Sequence, residues 1–246
     1  MMDKLKQEWQ KIRGMKPQER RWYIWEYYKI HLMFLAILLF FVVLIIQANV
    51  VNRQETVLSV LLADLGVEQE KAAAFESDYA EQLALEPKRQ KVSASVATIE
   101  GGRVAELEKL IMGVAAGEHD ALLCDEDITD YLLKAGALSD LEAVLPEELL
   151  ARCEGRFLYV DADALAAWTE ANRAGSAESV ILLSGDPTGM SKPVAVGVDV
   201  TEGCVPVFSR PADFGTAIFS VAVTTRRQEA AAAFLTYLLE QGGLEG

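Results

Sequence analysis

The residues best suited to contact a ligand are two aspartates and a tryptophan. Asp64 and Asp125 each follow a short apolar stretch, and Trp168 lies in a later helix-like stretch. A carboxylate accepts hydrogen bonds from sugar hydroxyls or ammonium groups, and an indole ring can stack on a sugar. These three residues are therefore candidate ligand-binding residues. Their alternative roles are helix capping or surface charge for the aspartates and core packing for the tryptophan.

The residue types give little support for catalysis or metal binding. The sequence holds no GxSxG, HExxH or P-loop pattern, and the glycines of GDPTGMSK are wrongly spaced for a P-loop. Its three cysteines lie far apart, it has two histidines, and DEDITD lacks the glycine of a calcium-binding loop. We expect a protein that is not an enzyme and has no metal site or cofactor. Hydrolysis by carboxylates alone stays open.

Strand-like and helix-like stretches alternate through the sequence that positions the two aspartates. Residues 55–64, 91–99 and 119–124 are short and rich in apolar residues, as buried strands are. Between them, apolar residues recur every three or four positions, which indicates helices. Strands joined by helices predict an α/β domain with a mostly parallel sheet. In such sheets ligands gather at the carboxyl ends of strands, where Asp64 and Asp125 would then lie.

After residue 146 the pattern is weaker. Further strands are predicted at residues 157–160, 180–183, 193–199 and 217–223, and a helix that contains Trp168 at residues 161–173. The final helix is clearer. Thr225 and Gln228 match a capping box, and Phe234 belongs to an apolar face.

Charge divides the chain into two unlike parts. Residues 1–53 hold nine Lys or Arg and four Asp or Glu. The whole chain holds 23 and 37, so residues 54–246 carry the other 14 and 33, a net charge of −19. An acidic body of this kind repels phosphates, so nucleic acid is excluded as its partner.

Residues 30–51, IHLMFLAILLFFVVLIIQANVV, predict a single transmembrane signal anchor. The stretch would span about 33 Å as a helix, close to the roughly 30 Å hydrocarbon core of a bilayer. Basic and aromatic residues crowd residues 1–29, whereas Arg53 stands alone on the far side. The positive-inside rule then puts residues 1–29 in the cytoplasm and residues 55–246 outside the cell membrane. No A-x-A-like site follows, so we expect a retained anchor rather than a cleaved signal peptide.

Two passages resemble the extracytoplasmic solute-binding proteins of ABC importers, which have the type II periplasmic-binding-protein-like fold. In residues 107–146, one helix ends at Gly117, Asp120 precedes an apolar strand, and a second helix ends at Gly136 before a Leu-Pro pair. Residues 219–240, FSVAVTTRRQEAAAAFLTYLLE, resemble the late strand, capped turn and Ala-rich helix of that family. The family usually has two complete lobes and a lipid-modified cysteine. This chain resembles a shortened relative that a transmembrane helix anchors instead.

The resemblance implies a function in solute capture. We expect a membrane-tethered solute-binding-like protein that binds a small polar solute beside an ABC transporter or another membrane protein. The alternative is an extracytoplasmic interaction or regulatory module on the same fold, without a small ligand. The lipid bilayer is an expected partner in both cases.

Overall fold

The computed structural model describes residues 14, 16–47, 54–99, 104–176, 178, 180–209 and 215–243. It divides the chain into two units, residues 1–53 and residues 54–246. In the first unit, helix α1 (Pro17–Ile46) begins with a proline in its first turn, where a missing N–H leaves no helical bond unmade. The apolar side chains of Phe34 and Leu38 are exposed.

The structure describes only part of the predicted cytoplasmic segment and only part of the predicted membrane anchor. Residues 1–13 and 15 of the predicted cytoplasmic segment and residues 48–51 of the predicted anchor lie outside the described residues. Among the residues that are described, no helix is both long enough and apolar enough to cross a membrane.

The second unit alternates strands and helices. Its strands are β1 (Glu55–Ala63), β2 (Gln90–Ala97), β3 (Ala121–Cys124), β4 (Phe157–Asp161), β5 (Pro193–Asp199) and β6 (Ile218–Val221). Its helices are α2 (Gln69–Gln82), α3 (Val104–Ala115), α4 (Glu126–Lys134), α5 (Leu141–Val144), α6 (Glu147–Arg152), α7 (Ala162–Arg173), α8 (Thr201–Phe208) and α9 (Gln228–Gln241).

The strands form one mixed sheet in the order β2-β1-β3-β6-β5-β4. As predicted, β1 pairs in parallel with β2 and β3. The pairs β3 with β6, β6 with β5 and β5 with β4 are antiparallel, so the prediction of a mostly parallel sheet is wrong. The periodicity of a strand indicates which side chains are buried and carries no information about strand direction.

Two local predictions are also wrong. Residues 180–183 form no strand, and Ser184 instead makes an isolated antiparallel bridge to Tyr159. Helix α9 begins at Gln228 directly after Arg227, without the predicted capping box. The Thr225 hydroxyl oxygen accepts from the Arg227 N–H at 3.0 Å rather than from that of Gln228, and the hydroxyl donates to the buried carboxylate of Asp120.

Helices cover both faces of the sheet and bury its core. On one face, the ring of Phe75 in α2 lies 4.9 Å from Phe208 in α8 and 5.4 Å from Phe234 in α9. On the other face, Leu110 of α3 and Leu132 of α4 pack against β1 and β3. The result is a three-layer α/β domain whose strand ends remain at the rim of the sheet.

Candidate ligand-binding site

Four strands end at the same edge of the sheet. β1, β2, β3 and β5 point one way, while β4 and β6 run against them. The register pairs Ala63 with Cys124, so Asp64 and Asp125, each one residue further on, come side by side at this carboxyl edge. Asp199, the last residue of β5, lies two strands further along the same edge.

Asp64 turns the chain as it leaves β1. Its φ is +55°, in the left-handed region that aspartate and asparagine tolerate better than most side chains. Its N–H donates to the carbonyl oxygen of Ala97 at 2.9 Å, and the residue is half-buried. Asp64 thus shapes the turn after β1 and links it to the end of β2. Its contact with a ligand stays a prediction.

Asp125 caps helix α4, as the capping alternative predicted. Its Oδ1 accepts from the N–H of Ile128 at 2.8 Å, and its carbonyl oxygen accepts from the Thr129 hydroxyl at 2.6 Å. Burial, and to a smaller extent the charge of Asp125, raises the pKa of the neighbouring Cys124 thiol, which therefore stays protonated. Binding of a ligand by Asp125 also stays a prediction.

Trp168 lies away from these two aspartates. Its indole N–H donates to the carbonyl oxygen of Glu178 at 3.1 Å, and Lys134 Nζ lies 5.1 Å from the ring centroid. Lys134 ends α4, whereas Asp125 caps its start, and nine helical residues separate these positions by about 13 Å. The structure therefore does not bring Trp168 to the carboxyl edge beside the aspartates, and its stacking on a sugar remains untested.

An open cavity of about 820 Å³ lies at the carboxyl edge, beside the end of β5 and the starts of β4 and β6. Asp64 and Asp125 are not among its described lining residues. The polar side chains that line it are those of Glu126, Glu154, Arg156, Asp199, Thr201, Glu202 and Thr216.

Asp199 and Thr201 fix each other in the wall of this cavity. Oδ1 of Asp199 accepts from the Thr201 hydroxyl at 2.6 Å and from the Thr201 N–H at 3.0 Å. The Thr201 hydroxyl oxygen accepts in turn from the N–H of Ala217 at 2.9 Å, which ties the end of β5 to the start of β6. The cavity therefore has a carboxylate whose orientation is set by the sheet.

Acceptors outnumber donors among the charged side chains of the cavity. Four carboxylates face one guanidinium, and Arg156 Nη1 lies 3.5 Å from Glu202 Oε2 in a partly exposed pair. This arrangement suits a solute that donates hydrogen bonds from hydroxyl, ammonium or guanidinium groups. Within the described residues, no group of three or more His, Cys, Asp or Glu is arranged to hold a metal ion.

Sequence reasoning missed Asp199, Thr201 and Arg156 as candidate site residues. A signal for Asp199 was present, since the predicted strand at residues 193–199 coincides with β5 and ends at this aspartate. The strand-end rule could have selected it in the same way as Asp64 and Asp125. Arg156 precedes a strand that runs in the opposite direction, so its position required the strand directions.

No family model matches the sequence, and a search of curated proteins finds no match either. Among solved structures, similarity is found to iron-bound HitA from Pseudomonas aeruginosa, with 12% identity, a TM-score of 0.36, and 76% of this chain and 83% of that chain covered. A proposed oligosaccharide periplasmic-binding protein from Synechococcus sp. MITs9220 gives 11% identity, a TM-score of 0.36, and coverage of 74% and 72%. AgtB from A. tumefaciens R10 in complex with agropinic acid gives 11% identity and a TM-score of 0.32, with 76% of this chain and 81% of that chain covered. Similarity at this level supports no conclusion about function.

Proposed function

We propose that residues 54–246 form a solute-binding-like domain that captures a small polar solute at the carboxyl edge of the sheet. The observation that carries this proposal is the cavity of about 820 Å³ at that edge. Small-molecule sites usually measure roughly 300–1,000 Å³ and lie at the carboxyl ends of strands in open α/β sheets. Both the size and the position of the cavity therefore support binding of a small solute.

The side chains of the cavity favour a solute that donates hydrogen bonds. Asp199 offers a fixed carboxylate, Glu126 and Glu202 add acceptors, and Arg156 supplies one donor group. A cationic solute or a neutral one rich in hydroxyls fits this chemistry, whereas a polyanion would be repelled. Asp64 and Asp125 extend the acidic edge beyond the cavity and are proposed to contact longer solutes.

We also propose that residues 30–51 anchor this domain in the cell membrane as one retained span. The support is the uncharged sequence of the span, its basic flank, and the exposed apolar side chains of α1. Residues 1–29 would lie in the cytoplasm and residues 55–246 outside. Protease added to intact cells should then remove the outer domain and leave a small membrane-bound fragment. Protection of the domain would reverse the orientation, and a mature protein that starts after Asn49 would reveal a cleaved signal peptide.

The proposed anchor at residues 30–51 would hold the domain beside other membrane proteins. A solute captured at the membrane surface can be handed to an ABC transporter or another membrane protein without diffusing away. The alternative function, an interaction or regulatory module without a small ligand, shares the anchor and the fold. The two alternatives differ in whether any solute binds the cavity.

A thermal-shift screen of the full chain in detergent separates these alternatives. A solute that binds only the folded state raises the melting temperature. The probes are spermidine as a cation, maltose as a neutral polyol, arginine as a zwitterionic amino acid with a guanidinium, and citrate as an anion. We expect a rise with one of the first three and none with citrate. No rise with any of these, or a rise with citrate alone, would contradict the proposed site.

A further inference from the structure

The outer edge of β2 is a surface that solute binding does not use. β2 stands first in the strand order and pairs along one side with β1. The N–H of Asp64 bonds to the carbonyl oxygen of Ala97, so Ala97 directs its polar backbone groups towards β1. The direction of the backbone N–H and C=O groups alternates from one residue to the next along a strand. Those of Val92, Ala94 and Val96 therefore point away from β1. Val92 and Ala94 are buried, with exposures of 4% and 2%, and Val96 is half-buried, so neighbouring side chains cover most of this row of backbone donors and acceptors.

Glu76 of α2 occupies the central donor of this row. Its Oε1 accepts from the N–H of Ala94 at 2.6 Å. A carboxylate at a sheet edge is a device that hinders uncontrolled strand pairing. Val92 and Val96 stand two residues to either side of Ala94 in the same row, so Glu76 is one of the side chains that cover this edge.

The opposite edge of the sheet is covered differently. There the N–H of Tyr159 in β4 donates to the Ser184 carbonyl at 2.8 Å, and the Ser184 N–H donates back at 2.9 Å. The protein's own backbone thus fills part of the β4 edge. At the β2 edge a side chain, that of Glu76, bonds to the backbone in place of a strand. A side chain can move away more easily than backbone, so the β2 edge is better suited to receive a partner strand.

Two grooves flank the outer edge of β2, one on each face of the sheet. The first, of about 620 Å³, lies between α2 and the start of β2 and includes Glu76, Glu81 and Lys91. The second, of about 810 Å³, lies between α3 and the end of β2. Successive side chains of an added strand point to opposite faces, so they would enter the two grooves in turn.

The charges of the grooves indicate what kind of strand fits. The second groove contributes Glu106, Glu108 and Glu118 against Lys109. Together the grooves hold five carboxylates and two lysines, and residues 54–246 as a whole carry a net charge of −19. A second copy of this chain would meet like charge, whereas a basic segment would meet opposite charge.

We propose that the outer edge of β2 receives a basic, extended peptide segment of a partner protein as an additional strand, and that Glu76 holds the Ala94 N–H until the segment displaces it. Backbone hydrogen bonds to Val92, Ala94 and Val96 supply the strand pairing. Lysine or arginine side chains of the partner meet the carboxylates of the two grooves.

The test uses the full chain in detergent and a fluorescent peptide of alternating lysine and valine, followed by fluorescence anisotropy. The first matched probe replaces lysine by glutamate. The second keeps every lysine but replaces alternate valines by proline, which removes strand hydrogen bonds at the same charge. We expect binding of the basic regular peptide and at least tenfold weaker binding of both matched probes.

Two pairs of variants examine the edge itself. Val96→Pro removes an outward N–H without removing a bond to β1, and Val96→Thr keeps that N–H, so the proline variant should bind roughly 3- to 10-fold more weakly than the threonine variant. Glu76→Ala and Glu76→Gln both remove one charge, but only glutamine can still accept from Ala94. The alanine variant should therefore bind the peptide roughly 3- to 10-fold more tightly than the glutamine variant. Melting temperatures confirm that each variant is folded.

Three results would overturn this inference. Equal binding of the basic peptide and its proline-interrupted counterpart would mean attraction by charge alone. Equal binding by Val96→Pro and Val96→Thr would place the peptide elsewhere. A doubled mass of the wild-type chain by light scattering, lost in Val96→Pro, would make a second copy of this chain the occupant.

Discussion

Nε of Arg227 donates to Oδ1 of Asp120 at 3.0 Å and so joins the turn before α9 to the start of β3. The Asp120 carboxylate is 1% exposed and also accepts from the N–H of Ser59 at 2.8 Å and from the Thr225 hydroxyl at 2.6 Å. The Arg227 guanidinium bonds in addition to the carbonyl oxygen of Thr56. One buried carboxylate therefore connects β1, β3 and α9 at the edge opposite the candidate site.

Asp120→Asn should destabilise the outer domain. The substitution removes the negative charge that balances Arg227, but the Arg227 side chain is 34% exposed and asparagine keeps an acceptor oxygen. The cost should therefore be about 1.5–3 kcal/mol, the value of a hydrogen bond to a charged group. Urea unfolding of the full chain in detergent measures the loss. Asp78→Asn on the exposed side of α2 is the matched control and should change the unfolding free energy by less than about 0.5 kcal/mol. A similar small change in both variants would mean that the Asp120 network contributes little.

Phe234 is fully buried among aromatic rings, as the predicted apolar face of the last helix required. Its ring lies 5.7 Å from Tyr79 and 6.3 Å from Phe219. Phe234→Ala should cost about 3–5 kcal/mol of unfolding free energy, because it leaves a cavity in this cluster. Val223→Ala, at an apolar residue that is 53% exposed, serves as the control and should cost far less. A loss below about 1 kcal/mol in Phe234→Ala would contradict the packing described for α9.

Tyr79 makes stability dependent on pH in the alkaline range. Burial, with Tyr237 and Glu240 nearby, raises the pKa of Tyr79 from 10.0 to about 12. The unfolded chain releases this proton from about pH 10, while the folded chain keeps it until about pH 12, so unfolding becomes more favourable between these values. Tyr79→Phe has no such proton and should lose less stability between pH 9 and pH 11.5 than the wild type. Parallel losses in the two proteins would show that Tyr79 ionises equally in both states.

The two aspartates selected from sequence can be tested without disturbing the fold. Asparagine tolerates the left-handed φ of Asp64 and is as good an N-cap as the Asp125 carboxylate. Asp64→Asn and Asp125→Asn should therefore leave the melting temperature nearly unchanged. If the solute contacts these aspartates, each substitution should raise the dissociation constant roughly 10- to 150-fold. This factor corresponds to the about 1.5–3 kcal/mol that a hydrogen bond to a charged group contributes. Lost stability without any effect on binding would leave them with structural roles alone.

The sequence was informative where local pattern and tertiary packing agree. β1 to β3 and the helices between them were predicted because each has its own apolar period. Gly117 and Gly136 end α3 and α4 with φ of +74° and +70°, as the glycine at a helix end requires. The strand at residues 193–199 was also located correctly.

The remaining features depend on partners that are distant in sequence. Asp120 contacts residues 61, 105 and 107 positions away, and no local pattern connects them. The antiparallel half of the sheet follows from the path of residues 146–217, where the apolar period is weak. Arg156 and Asp199 meet at the cavity only once that path is known, which is why the sequence favoured Asp64 and Asp125 and missed the cavity wall.

The most direct test of solute capture is the dissociation constant of the strongest probe from the thermal-shift screen, measured by calorimetry on the full chain. Asp199→Asn keeps the oxygen that accepts from Thr201 but loses the charge that faces the cavity, and Asp78→Asn loses the same charge elsewhere. The proposed site predicts that Asp199→Asn raises the dissociation constant roughly 10- to 150-fold, while Asp78→Asn leaves it unchanged. Equal affinity of the wild type and both variants would contradict binding at the carboxyl edge of the sheet.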